Sequence, residues 1–177
     1  MTKMKQITKF FALAIVMIAF SATTFAQPGV SATATATATI LTPLAILKNV
    51  DMSFGNLAVN ATPGTVALSA AALPTRTPGG GVTLMTGGTV TAANFTVTGL
   101  VDATYSITLP ADGVVLLTGP GTDIAANSFV SSPTVAAGGI LTGGSEILYV
   151  GATLTIAGSQ AFGVYTSLAF TVTVNYN

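Results

Sequence analysis

Val30-Ser31-Ala32-Thr33-Ala34-Thr35-Ala36-Thr37-Ala38-Thr39-Ile40 near one tip and Phe170-Thr171-Val172-Thr173-Val174-Asn175-Tyr176-Asn177 at the other alternate apolar side chains with hydroxyl or amide ones. A period of two belongs to a strand with one buried face. Between the tips nothing repeats at helical spacing. Short runs of Val, Ile, Leu, Phe and Tyr are separated by Gly, Pro, Asn and Asp, the residues of turns. The pattern predicts strands over 32–41, 45–48, 52–59, 65–69, 82–85, 94–98 and 104–109, then 114–117, 128–130, 146–150, 152–157 and 164–176. Many short strands at this spacing predict an all-β antiparallel sandwich, with closure into a barrel as the second reading.

The punctuation has mechanisms. Pro63-Gly64 and Asp112-Gly113 read as tight turns. Pro78-Gly79-Gly80-Gly81, Gly87-Gly88, Gly138-Gly139 and Gly143-Gly144 offer positive φ without steric cost. Residues 119–144 have weaker periodicity and read as a long loop with one short strand. Phe54-Gly55 and Phe162-Gly163 read as core aromatics, each followed by a bend. Tyr105, Tyr149, Tyr165 and Tyr176 fall within strand patterns and read as core-margin residues whose hydroxyls find partners.

Lys3, Lys5 and Lys9 precede an uncharged apolar run from Phe10 to Phe20, and Thr24-Phe25-Ala26 follows with small residues where a signal peptidase reads. Residues 1–26 therefore read as a secretory signal peptide, cleaved after Ala26. The run falls short of the ~20 apolar residues that cross a bilayer, so no membrane span is expected after cleavage. The expected organisation is a leader over 1–26, an N-terminal strand or donor segment over 27–41, and a β-sandwich domain over 42–177. The expected location is outside the cytoplasm: periplasm, outer surface or extracellular medium.

Cleavage leaves Lys48 and Arg76 against five acids (Asp51, Asp102, Asp112, Asp123 and Glu146), a net charge of −3 for residues 27–177. Without a basic patch, nucleic acid has no electrostatic handle. Edge strands without lysine lack the usual brake on edge-to-edge pairing, which predisposes the chain to assemble. Neither histidine nor cysteine is present, which removes the commonest bases, nucleophiles and transition-metal ligands. The acids are scattered, and Asp51, Asp102 and Asp112 adjoin turn signals, where a short carboxylate caps the backbone. No enzyme activity, catalytic residue, cofactor or metal is expected, although loop carboxylates at Asp112, Asp123 and Glu146 could converge on a calcium ion. Asn60-Ala61-Thr62 and Asn94-Phe95-Thr96 match a glycosylation pattern short enough to arise by chance.

The chain resembles a family of secreted bacterial domains of unknown function. The resemblance is carried by Ala36-Thr37-Ala38-Thr39-Ile40, Met52-Ser53-Phe54-Gly55-Asn56, Gly81-Val82-Thr83-Leu84, Phe95-Thr96-Val97-Thr98-Gly99, Thr104-Tyr105-Ser106-Ile107-Thr108-Leu109-Pro110, Leu148-Tyr149-Val150-Gly151-Ala152-Thr153-Leu154 and Tyr165 through Tyr176. More distantly, Phe54-Gly55, Gly163-Val164-Tyr165 and Val172-Thr173-Val174-Asn175-Tyr176 are similar to spore-coat-U-like and archaic chaperone–usher pilin subunits. That resemblance implies incomplete immunoglobulin-like sandwiches that polymerise when one subunit's N-terminal strand fills its neighbour's groove, with a periplasmic chaperone as partner. It implies Val30, Ala32, Ala34, Ala36, Ala38 and Ile40 as donor residues, and Phe170, Val172, Val174 and Tyr176 as the strand bordering the acceptor groove. Many such subunits carry a disulfide near the N-terminal region; this chain has no cysteine.

The first functional expectation is therefore a non-enzymatic cell-surface structural subunit that self-associates, or joins related subunits, by β-strand addition. Four alanine methyls offer about 0.8 kcal/mol each if buried, ~3 kcal/mol together, whereas one bulky donor offers roughly 1.5–3 kcal/mol. Val30 and Ile40 would supply much of the apolar grip. Two further readings for this segment are an ordinary first strand paired within its own domain and a flexible Thr-Ala tether. The functional alternative is a self-contained extracellular surface-binding or adhesion module using the 119–144 region. An ice- or crystal-binding row at Thr33, Thr35, Thr37 and Thr39 would need several aligned rows where one strand supplies a single line.

Overall fold

The computed structural model describes residues 29–177, and the leader expected over 1–26 lies outside them. The chain divides into two compact units, 1–39 and 40–177. Of the first, residues 29–39 belong to no strand and their side chains are exposed. The second is all-β: antiparallel sheets, one of them curled into a half-barrel, with no α-helix and a single 3-10 turn at Thr142–Gly144 among the described residues.

Its strands are β1 (Ala45–Val50), β2 (Ser53–Phe54), β3 (Leu57–Leu68), β4 (Arg76–Leu84), β5 (Val90–Thr91), β6 (Ala93–Thr98) and β7 (Thr104–Thr108). They continue with β8 (Val115–Thr118), β9 (Ile124–Ser132), β10 (Gly139–Ile140), β11 (Ser145–Ile156), β12 (Thr166–Ser167) and β13 (Thr173–Tyr176). The large sheet runs β1-β6-β11-β9-β8-β12, with the β3–β4 hairpin joined to β11; β10-β7-β13 forms a second sheet and β2-β5 a two-stranded ribbon.

Two apolar clusters follow from this layout. The concave face of the large sheet gathers Val66, Leu68, Val115, Ile124, Ala126, Leu154 and Ile156. A second cluster joins Phe95, Val97, Leu148 and Val150 of the large sheet to Tyr105 and Ile107 of the small one, with Leu141 and Val172. Met52, Phe129 and Phe170 pack against both.

Several expected elements take a different form. No strand forms over 32–41: residues 29–44 lie outside every strand. Alternation alone does not make a strand when the apolar side chains are methyls and no neighbouring backbone pairs with them. Pro63-Gly64 and Pro78-Gly79-Gly80-Gly81 reverse nothing. They face each other inside the β3–β4 hairpin, with Gly64 opposite Gly80 and Val66 opposite Pro78. A register shift between Val59 and Gly64 bulges 60–63 outward over β4. Gly81 is required there, since a Cβ would collide with the Thr62 carbonyl oxygen. Turn residues in this hairpin serve a bulge.

Residues 119–144 contain the nine-residue strand β9, paired to both β8 and β11. Its alternation is broken at Ser128 (φ +49), where inward positions change from Ile124 and Ala126 to Phe129 and Ser131. The strand expected over 164–176 is two short strands. Thr166–Ser167 pairs with β8 of the large sheet and Thr173–Tyr176 with β7 of the small one, so 168–172 cross between sheets and belong to neither. Phe54 is a core aromatic followed by Gly55 at φ +64, as the sequence predicts, but Phe162 is 98 % exposed.

Arg76 fastens the hairpin to the ribbon. Its Nη1 donates to the carbonyls of Phe54 (2.8 Å) and Asn56 (3.0 Å), and its Nη2 to Met85 O at 3.3 Å. Hydrogen bonds from a charged donor contribute about 1.5–3 kcal/mol. Arg76→Met keeps the aliphatic stem and removes the donors, so it is expected to lower unfolding free energy by about 2–3 kcal/mol in a urea titration. A loss below about 0.5 kcal/mol, the ordinary range of an inert surface change, contradicts this role.

Candidate functional site

A concavity lies where the two clusters meet. It is a cleft of about 470 Å³, lined by Met52, Phe54, Phe95, Phe129, Phe170 and the stretch from Tyr165 to Ala169, with Lys48 and Asp51 also on its wall. Each wall has a local cause. Phe95 points inward because β6 alternates Ala93, Phe95 and Val97 toward the core. Phe129 reaches the cleft because of the shift at Ser128, and its ring meets Phe170 at 5.6 Å between centroids, tilted by 52°. Lys48 Nζ and Asp51 Oδ1 pair at 2.7 Å, both exposed. Such a pair in water contributes about 0–1 kcal/mol and leaves the cleft's character apolar.

One wall of the cleft is unfinished. Because 165–172 leave the large sheet for the small one, residues 168–172 have no strand partner. Among the described residues β13 pairs only with β7, and β1 only with β6. The chain therefore presents an apolar cleft beside backbone that belongs to no sheet.

The groove residues expected from the sequence separate here. Phe170 lines the cleft. Val172 is buried in the second cluster, and Val174 and Tyr176 are half-buried against it. The Tyr176 hydroxyl also makes two backbone contacts, accepting from Leu100 N (2.7 Å) and donating to Thr42 O (2.9 Å). It thus ties the end of the chain to the residues just before β1. Of the donor residues, Val30 and Ile40 are 96 % and 95 % exposed, and Ala32, Ala34, Ala36 and Ala38 are exposed as well. Met52, Phe95 and Phe129 are cleft residues that sequence reasoning did not place in a site, although Phe129 falls in the short strand expected over 128–130.

The polar groups hold structure. Asp112 Oδ1 accepts from Ser128 N at 2.6 Å and Asn127 Oδ1 from Gly113 N at 2.7 Å, locking the 110–113 turn onto β9. Glu146 Oε2 accepts from the Tyr105 hydroxyl and from Ile140 N, both at 2.9 Å. Asp112, Asp123 and Glu146 are not brought together, and among the described residues no three acidic, histidine or cysteine side chains could share a metal ion. Within 119–144, β9 and β10 take 11 of the 26 residues, and the others lie outside strands.

Family membership accords with this architecture. The chain belongs to the domain-of-unknown-function family DUF4402, whose profile matches residues 44–176. The match covers β1 to β13 and leaves the Thr-Ala segment, including 36–40, outside it. No curated protein and no solved structure matches the chain.

Burial, then the hydrogen bond and charge of Glu146, push the Tyr105 phenol well above the usual tyrosine range. The fold therefore prefers the neutral phenol. Its contribution is complete below the unfolded value near 10 and is lost as pH rises from there through the folded value. Unfolding midpoints measured above pH 10 should fall more steeply for the wild type than for Tyr105→Phe; parallel curves contradict this.

Proposed function

We propose that this chain is a non-enzymatic structural subunit of a secreted cell-surface assembly. Its domain is an immunoglobulin-like sandwich left open on one side. The open side accepts a β-strand from another copy, and the strand supplied is the exposed N-terminal segment, with Val30 and Ile40 as its apolar ends. The observation that carries the reading is the apolar cleft beside the unpaired 168–172 backbone. In support, residues 29–43 are exposed, outside every strand and outside the family match.

The physical logic is that of strand addition: main-chain hydrogen bonds supply affinity and alternate side chains fill pockets. Val30 and Ile40 are ten residues apart, roughly 33 Å when extended, so the two ends grip well-separated places. The small alanines between them keep the segment free to pair without a large apolar surface exposed beforehand. A location outside the cytoplasm suits this role and rests on the same leader pattern. Chaperone protection before assembly would cover the same cleft.

Deleting residues 28–39 should abolish polymer while leaving a soluble, folded subunit, as seen by electron microscopy and circular dichroism. Ala169→Trp, at an exposed position on the cleft wall, should block acceptance in a chain whose donor is intact. Polymer that persists in both variants contradicts the proposal.

A further inference from the structure

A second surface, which meets the cleft wall at Leu168, lies on the β8–β12 margin of the large sheet. Phe162, Val164 and Leu168 are 98 %, 82 % and 90 % exposed, and Leu116 on β8 is 41 % exposed. Thr166 pairs with Thr118 and Ser167 with Leu117, so continuing the register by one residue sets Leu168 opposite Leu116. Large apolar groups gathered along one margin mark an interaction site more often than scattered ones do.

The segment is built to stay in place. Tyr165 donates its hydroxyl to Ala161 O at 2.9 Å, and Gln160 Nε2 donates to Thr122 O. The Tyr165 ring lies on Gly119, where a Cβ would come within 2.6 Å of it. Gly163, at φ +148, stands against the Pro120 ring in a conformation L side chains rarely adopt. Four local constraints thus hold Phe162 out in water, and a side chain fixed before contact loses little entropy on binding.

What covers the margin is indicated by charge and by main chain. No Asp, Glu, Lys or Arg occurs from Gly113 to Thr122 or from Ile147 to Asn177. Neither a charged partner nor an anionic membrane meets an opposite charge on these stretches of the margin. Among the described residues β12 pairs only with β8, so its outer edge offers unpaired main-chain groups and no lysine to discourage a second strand. An uncharged apolar edge fits a copy of itself, because a two-fold axis sets the same strip against the same strip. We infer that the Phe162–Leu168 margin is a two-fold self-association surface for a second copy of this chain, with Phe162 and Leu168 as its anchors. Donor exchange would string subunits together; this contact would pair them side by side.

Sedimentation equilibrium on the exported chain lacking residues 28–39 separates the two associations. The expected result is a dimer that survives the deletion and whose Kd rises at least about tenfold in Phe162→Ser/Leu168→Ser. Val164→Lys, which places a charge on the edge, should weaken it similarly, and Leu73→Ser, at an exposed site on the β3–β4 loop, should not. These side chains are exposed, so equal unfolding midpoints will certify the fold of each variant. A monomeric deletion chain at high micromolar concentration, or a dimer indifferent to the double substitution, overturns the inference and leaves the strand-exchange reading standing. So does a monomer that co-sediments with phosphatidylcholine vesicles and stops doing so in the double variant, which would make the partner a lipid surface.

Discussion

Strand β11 is the constraint on which the rest of this domain depends. It is twelve residues long and gives one edge to two strands in succession, β6 along 145–150 and β3 along 153–156, with β9 along the other edge. Its inward side chains Leu148, Val150, Leu154 and Ile156 feed both clusters. The changeover between partners occurs at Gly151, where a Cβ would collide with the Leu68 carbonyl oxygen. A glycine at that point lets the β3–β4 hairpin fold back over the strand, which curls the sheet and divides the core in two. The cleft is a consequence. It lies at the seam of a divided core that Met52, Phe129 and Phe170 bridge only in part.

A chain with few charges and no disulfide must fix its irregular parts by backbone-directed hydrogen bonds. Arg76, Asp112, Asn127 and Tyr176 each bond to main-chain groups of a distant segment, and Glu146 accepts from the distant Tyr105 hydroxyl. These contacts hold several of the few ionisable side chains in structural roles. Outside these contacts stand the cleft, the Phe162 margin and the exposed N-terminal segment.

Much of the fold was legible because period-two alternation is a local property. β1, β6, β7, β8 and the burial of Phe54 follow from it directly. β9 was legible only over 128–130, because its alternation changes phase at Ser128 and its small Ala125, Ala126 and Asn127 give little contrast. The glycine runs of β3 and β4 misled for a related reason: a glycine that permits close approach of two strands is written like one that permits a turn. Phe162 reads as core from its glycine neighbour, although contacts of Gly163 with Pro120 and of Tyr165 with Gly119, more than forty residues away, decide that the loop points outward. The candidate site was legible only at Phe170. Its other walls depend on pairings tens of residues apart, and Tyr176 acts on Thr42 across almost the whole domain. Alternation at the N-terminal segment was real, yet it forms no strand within the chain. A strand needs a partner backbone as well as a pattern.

An open seam and an unpartnered segment of strand-like sequence make a joint claim: both become ordered in one event. Amide hydrogen exchange, resolved by mass spectrometry, compares isolated subunits with the assembled surface material. The account predicts that amides of 168–172 and of 29–43 exchange rapidly in the subunit and become protected together in the assembly. Assembled material in which 29–43 still exchanges freely, while 168–172 is protected or not, would contradict it.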